Sequence, residues 1–142
     1  MTLEKTIRSD CPIANSLDLW GDRWSLLLIR DMMFEGKQYY GEFLQAREGI
    51  STNILADRLV RLEEAGVIVK RRDALQKRRY VYSLTPKGID LLPVLVETAV
   101  WGLRHHEHTV LSPHIVAAIQ ADKQGFIRSV QQRLLAAILA DS

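Results

Sequence analysis

A single cysteine, Cys11, in 142 residues leaves no internal disulfide framework and suits a reducing compartment. No apolar run approaches the roughly 20 residues that span a bilayer, so no membrane partner is expected. The opening stretch Met1-Thr2-Leu3-Glu4-Lys5-Thr6 lacks the apolar core and small-residue cleavage site of an export signal, and a cytoplasmic location is expected. Catalytic signatures are missing as well. There is no nucleophile elbow, no phosphate-binding glycine loop and no His-Glu-x-x-His pattern, which argues against an enzyme and against a cofactor. Internal repeats and low-complexity segments are also absent.

What is present is ordinary globular composition. At 47% hydrophobic and 25% charged, the chain lies far from the disordered regime. Its length suits one domain, or one domain with an oligomerisation arm. The net charge of +2 hides an asymmetry. Between Asn53 and Arg79 lie eight bases and four acids, a net +4, which leaves −2 for the rest. A basic block on a slightly acidic body suggests a surface for a polyanion. A merely solvated charged hairpin accounts for the same charges without a partner.

The pattern along the chain is mostly helical. Asp10-Cys11-Pro12 opens a first helix whose apolar stripe is Ile13, Leu17 and Trp20, and Gly21 ends it. Asp22 suits the N-cap of a second helix over about Arg23 to Met33, apolar around most of its circumference and so expected in the core. A short third helix, Tyr40 to Gln45, buries Phe43 and Leu44. After the Glu48-Gly49 turn, Ser51 caps a fourth helix ending near Ala65-Gly66, with Leu55, Leu59 and Leu62 on one side. Two short helices around a glycine-containing turn form the helix-turn-helix pattern.

The period then changes. Val67-Ile68-Val69 and Tyr80-Val81-Tyr82-Ser83-Leu84 read as two strands around a basic tip. Thr85-Pro86 caps a long helix predicted over about Pro86 to Arg104. The fold class is therefore mostly α with a small β-hairpin wing: a winged helix-turn-helix over residues 1–104. The extension 105–142 starts a helix at Ser112-Pro113, breaks near 122–125, and carries a stripe of Phe126, Val130, Leu134 and Ile138. That stripe needs cover, either from a second copy, making the extension a dimerisation arm, or by folding back on its own chain.

The segments Cys11-Pro12-Ile13-Ala14, Leu17-Asp18-Leu19-Trp20-Gly21-Asp22-Arg23-Trp24 and Ile29-Arg30-Asp31 resemble the opening of the HxlR-type regulators, a MarR-like winged-helix family. Gly41-Glu42-Phe43, Gly49-Ile50-Ser51, Leu62-Glu63-Glu64-Ala65-Gly66 and Tyr82-Ser83-Leu84-Thr85-Pro86-Lys87-Gly88 continue the resemblance in order. It runs from about Asp10 to Gly102. The resemblance implies a homodimeric transcription regulator that binds inverted repeats in promoter DNA. In some relatives a cysteine at the place of Cys11 senses oxidants or electrophiles. A reactive thiol at a helix N-terminus and a small packed residue are both open readings of Cys11.

For a helix in the roughly 12 Å wide major groove, the candidate contacts are Ser51, Thr52 and Asn53 at the amide-rich N-terminus. Ala56, Asp57, Val60 and Arg61 continue along or beside the face opposite the leucines. Relatives tend to carry Lys or Gln at Asn53, Asp57 and Val60. Asp57 either accepts from cytosine or repels phosphate. Arg58, close to the core side, either pairs with a neighbouring helix, for instance at Glu42, or contacts phosphate. The wing supplies Lys70, Arg71, Arg72, Lys77, Arg78 and Arg79, expected to face one another across the hairpin and so to call for an anion. At its tip Ala74-Leu75-Gln76 stands where relatives tend to have prolines, which implies a softer wing. Lys37 and Tyr39 are weaker backbone-contact candidates.

His105, His106, His108 and His114 with Glu107 have no cysteine or Glu-x-x-His companions, and a polar helix end is preferred to a metal site. Two other functions fit the sequence. One is a winged-helix protein-interaction module whose wing meets an acidic protein. The other is regulation by a small-molecule effector held between the expected dimer helices, the first helix and the long helix after Thr85, and the tail, among Trp20, Trp24 and Trp101.

Overall fold

The computed structural model describes residues 8–141, so the stretch Met1 to Thr6 lies outside the described residues. Helices α1 (Pro12–Trp20) and α2 (Ser25–Phe34) meet at a turn built by Asp22. Its Oδ1 accepts from the backbone amides of Trp24 at 2.8 Å and Ser25 at 3.0 Å. These bonds satisfy amides that the first helical turn leaves without partners, and α2 starts at Ser25, two residues later than expected. Ser25, Leu28, Ile29, Asp31, Met32 and Met33 of α2 are buried, so it is the central helix the composition called for. α1 buries no residue: Ile13 is 70% exposed and Leu17 50%.

The short α3 (Tyr40–Phe43) ends before Leu44 and buries Phe43. Glu42 turns its carboxylate back onto the amides of Gln38 and Tyr39, both at 3.0 Å. In α4 (Thr52–Glu64) Leu55, Leu59 and Leu62 enter the core, and Ser51 Oγ accepts from the Ile54 amide at 3.3 Å. At the far end Gly66, with φ +75°, closes a Schellman turn: Gly66 N–H reaches Glu63 O and Val67 N–H reaches Leu62 O. Only a left-handed residue lets the chain leave the helix so abruptly, and it delivers Val67 and Ile68 straight into the core.

Strands β1 (Ile68–Arg72) and β2 (Tyr80–Leu84) pair antiparallel, with Ile68 opposite Leu84 and Arg72 opposite Tyr80. The hairpin is tied to the helices at its base. The Tyr82 amide donates to Gln38 O at 2.8 Å, and the Tyr82 ring meets Phe43 edge to face at 6.0 Å.

The single long helix expected after Thr85 is two. α5 (Pro86–Ile89) and α6 (Leu92–His105) are separated at Asp90-Leu91. The reason is Pro93: it has no N–H to give Ile89, and its ring would collide with that carbonyl, so it sits in the first turn of a new helix instead. Thr85 caps α5 as predicted, its Oγ1 accepting from Gly88 N–H.

The extension forms α7 (Pro113–Ala121) and α8 (Lys123–Ala140), broken at Asp122, whose carboxylate accepts from Gly125 N–H at 3.0 Å. α8 packs on α5, α6 and α7. Ile119, Ile127 and Val130 are buried in the same core as Ile89, Leu92 and Val96, with Phe126, Leu134 and Ile138 against it. The stripe that required a cover is therefore covered by its own chain, and the extension shares the core of the winged helix.

Candidate nucleic-acid interface

The outward side of α4 carries Ser51, Thr52, Asn53, Ala56, Asp57 and Val60, all exposed. The N-terminus of the helix is held against α3 by Tyr40, whose hydroxyl donates to Thr52 O at 3.1 Å. The basic residues of α4 do not join that side. Arg58 Nε donates to Asp22 Oδ1 at 3.0 Å, and a second guanidinium nitrogen pairs with Asp57. Arg58 thus takes the inter-helix ion pair, with Asp22 rather than Glu42, because Glu42 is committed to the start of α3. Asp57 is matched by its own neighbour. Arg61 donates to Asp18 O at 3.0 Å, which turns it toward α1. Lys87 donates to Ala65 O at 2.7 Å and places a cation at the carbonyl end of α4, where the helix dipole favours it.

The wing sorts its six bases differently from expectation. Lys77, Arg78 and Arg79 do not sit opposite Lys70, Arg71 and Arg72. β2 begins at Tyr80, so the strand cations pair with Tyr82, Val81 and Tyr80 instead. Lys70 and Arg72 project from the same face of β1 and lie over the Tyr80 ring, at 4.7 and 5.0 Å. Cross-strand repulsion gives way to cation–π contact.

The tip is braced. Asp73 is buried and pairs with Arg79, its Oδ1 accepts from the Leu75 amide at 3.2 Å, and its own amide reaches Arg79 O at 3.0 Å. Arg72 donates to Lys77 O at 2.7 Å. Arg79 also lies 3.9 Å from the centre of the Tyr39 ring. The Arg79 guanidinium and the Leu75 amide hold the Asp73 carboxyl below its ordinary value. The tip that lacks prolines is held by these side-chain bonds instead. The one acid among six bases was their signal in the sequence. Among the described residues, Arg71, Lys77 and Arg78 have no carboxylate partner.

Lys37 is paired with two acids. Its ammonium lies 3.0 Å from Asp31 Oδ2 and 3.3 Å from Glu35. Asp31, with no exposed surface, also accepts from Arg30, which forks onto Glu48 at 2.9 and 3.0 Å. This network, unforeseen in the sequence, ties α2 to the turns on either side of α3. Tyr39 serves as the shelf for Arg79.

Cys11 holds the N-cap position of α1, partly exposed, with its amide on Ser9 Oγ at 3.1 Å. His105 and His106 pack on Trp101, at 4.9 and 5.4 Å between ring centres. A concavity of about 510 Å³ between α6 and α7 is lined by Val100, Leu103, Arg104, Val116, Ile119, Gln120 and Lys123, with none of the three tryptophans.

Helices α3 and α4 with a basic, braced hairpin beside them make this a winged helix-turn-helix protein. Residues 19–110 match the HxlR-like helix-turn-helix family, and the chain belongs to it. The family is one of transcription regulators. A helix-turn-helix regulator of Synechocystis, sll1512, is 40% identical over 88 residues, or 61% of this chain and 63%, under two thirds, of that protein. The crystal structure of PA1607, described as a transcription factor, has a TM-score of 0.65 at 40% identity, over 74% of this chain and 72% of that one. The redox regulator HypR in its oxidised form has a TM-score of 0.60 at 28% identity, over 68% of this chain and 99% of that one.

Proposed function

We propose that two copies of this chain grip duplex DNA at an inverted repeat in a promoter, acting by binding and not by catalysis. The observation that carries this reading is the division of charge. Arg71, Lys77 and Arg78 stand without carboxylate partners on a braced wing, and the N-terminus of α4 is exposed. α4 enters the major groove, where Asn53 suits adenine and Asp57 cytosine. Ser51 and Thr52 bring the helix N-terminus to a phosphate. Ala56 and Val60 add apolar contact. The cations that add affinity are those of the wing, since Arg58 and Arg61 are held by α1 and α2.

The second copy follows from α1 and α6. Ile13 and Leu17 on α1 and Trp101 on α6, exposed at 70%, 50% and 58%, are the apolar side chains that a two-fold partner would cover. The extension 105–142 buttresses α6 from behind. Sedimentation at micromolar concentration tests the dimer, with L17D and W101E expected to shift it to monomer. A clean wild-type monomer would contradict it.

In this reading Cys11, beside the dimer surface, is the point at which a redox or electrophile signal enters, as the likeness to the redox regulator HypR supports. With no second cysteine, the signal takes the form of an adduct, a mixed disulfide with a small thiol, or a link between the two Cys11 residues. The chain acts in the cytoplasm, where the thiol starts reduced. Gel shifts on the protein's own upstream region are the direct test. Three phosphate contacts per protomer give a log-log salt slope near −3 per protomer. Salt-independent binding, or retardation only by an acidic protein, would replace this reading with the interaction-module one.

A further inference from the structure

The tip of the wing carries an exposed apolar side chain. Leu75, 90% exposed, stands at the tip of a hairpin that is otherwise basic. A lone exposed leucine ordinarily needs no explanation. This one is presented by dedicated structure. Its amide is held at 3.2 Å by Asp73, which is itself buried against Arg79, and the Arg79 amide closes the loop onto Gln76 O at 3.1 Å. The lock holds the backbone that carries Leu75, while Arg71, Lys77 and Arg78 near it have no carboxylate partner among the described residues.

We infer that Leu75 is an apolar probe of the DNA minor groove next to the major groove read by α4, and that it makes the protein sensitive to base composition there. This rests on the DNA-binding reading above. With α4 in the major groove, a wing whose cations hold the phosphate ridge has only the adjoining minor groove ahead of its tip. That groove is roughly 6 Å wide, enough for one side chain and not for a hairpin. Leucine has nothing to hydrogen-bond, so it reads shape. It packs against sugar edges over A·T pairs and meets the protruding 2-amino group of guanine over G·C pairs. Specificity then arises at positions where α4 makes no contact.

The experiment uses duplexes recovered by selecting DNA from a random pool, remade with A·T, G·C or inosine·C pairs at the flank under the wing. Inosine·C keeps the major-groove edge of G·C but lacks the 2-amino group. Wild-type protein should bind the A·T and inosine·C duplexes alike and the G·C duplex about fivefold or more weakly. L75A should lose that discrimination and weaken on A·T, with an unchanged salt slope because no charge is removed. Equal wild-type affinity for G·C and inosine·C flanks would overturn the inference, as would discrimination retained by L75A. Failure of the wild-type chain to recover any DNA would instead overturn the DNA-binding reading itself.

Discussion

Arg58 Nε lies 3.0 Å from Asp22 Oδ1, so the carboxylate that starts α2 also holds α4 in place. Both side chains are about four-fifths buried. Burial opposes ionisation of Asp22. The hydrogen bonds from the Ser25 hydroxyl, the Trp24 amide, Arg58 and the Ser25 amide outweigh it and hold the carboxyl at about 2, against 3.8 ordinarily. The folded value lies below the unfolded one. The stabilisation is thus fully present above pH 4 and is lost as pH falls toward 2. Thermal melts should show wild type losing stability across that window more steeply than D22N. Parallel melting curves would refute the assignment. At neutral pH, D22A should cost at least the ~1 kcal/mol of a lost cap.

The wing predicts two kinds of basic residue. Neutralising Arg71, Lys77 or Arg78 singly should reduce the salt slope of DNA binding by about one unit each. R79Q should leave the slope unchanged and instead loosen the tip, seen as faster hydrogen exchange at the Leu75 and Arg79 amides. A slope change in R79Q would mean that Arg79 contacts phosphate.

Asp31 is buried without exposure between Lys37 and Arg30. Removing one partner of a buried pair strands the other, so D31A should cost about 3–5 kcal/mol in urea denaturation. A cost under about 1 kcal/mol, typical of an exposed pair, would show the network to be dispensable.

Gly88 allows α5 to lie against the start of the hairpin. A Cβ there would stand 2.3 Å from Val67 O, a backbone atom with little room to yield. G88A should therefore destabilise the chain by about 1–3 kcal/mol, the range for overpacking. An unchanged midpoint of denaturation would mean that the strand moves freely relative to α5.

The local devices were legible because each depends on a few consecutive residues. Pro12, Ser51 and Thr85 begin helices or cap them where their chemistry suggested, the break expected near 122–125 falls at Asp122, and Gly66 ends α4. The leucine spacing of α4 and the β-branched and aromatic runs of the hairpin placed the winged helix. Pro93 is equally visible, but a helical apolar pattern runs across it, so spacing alone predicts one helix where the structure has a break at Asp90-Leu91.

Partnerships at long range were settled only by the tertiary structure. Charge counting placed six bases on the hairpin. It could not say that a β2 starting at Tyr80 moves three of them off the ladder, or that Asp73 locks the tip. Helical spacing put Arg58 near the core side of α4, while its choice of Asp22 over Glu42 depended on what each carboxylate was already bonding. An amphipathic stripe states that α8 must be covered, not by what. α5 and α6, on either side of the break at Asp90-Leu91, supply the cover together with α7. Periodicity and capping are local properties written in order along the sequence. Ion-pair choice and burial depend on which atoms compete for the same space, and that is decided when the chain closes on itself.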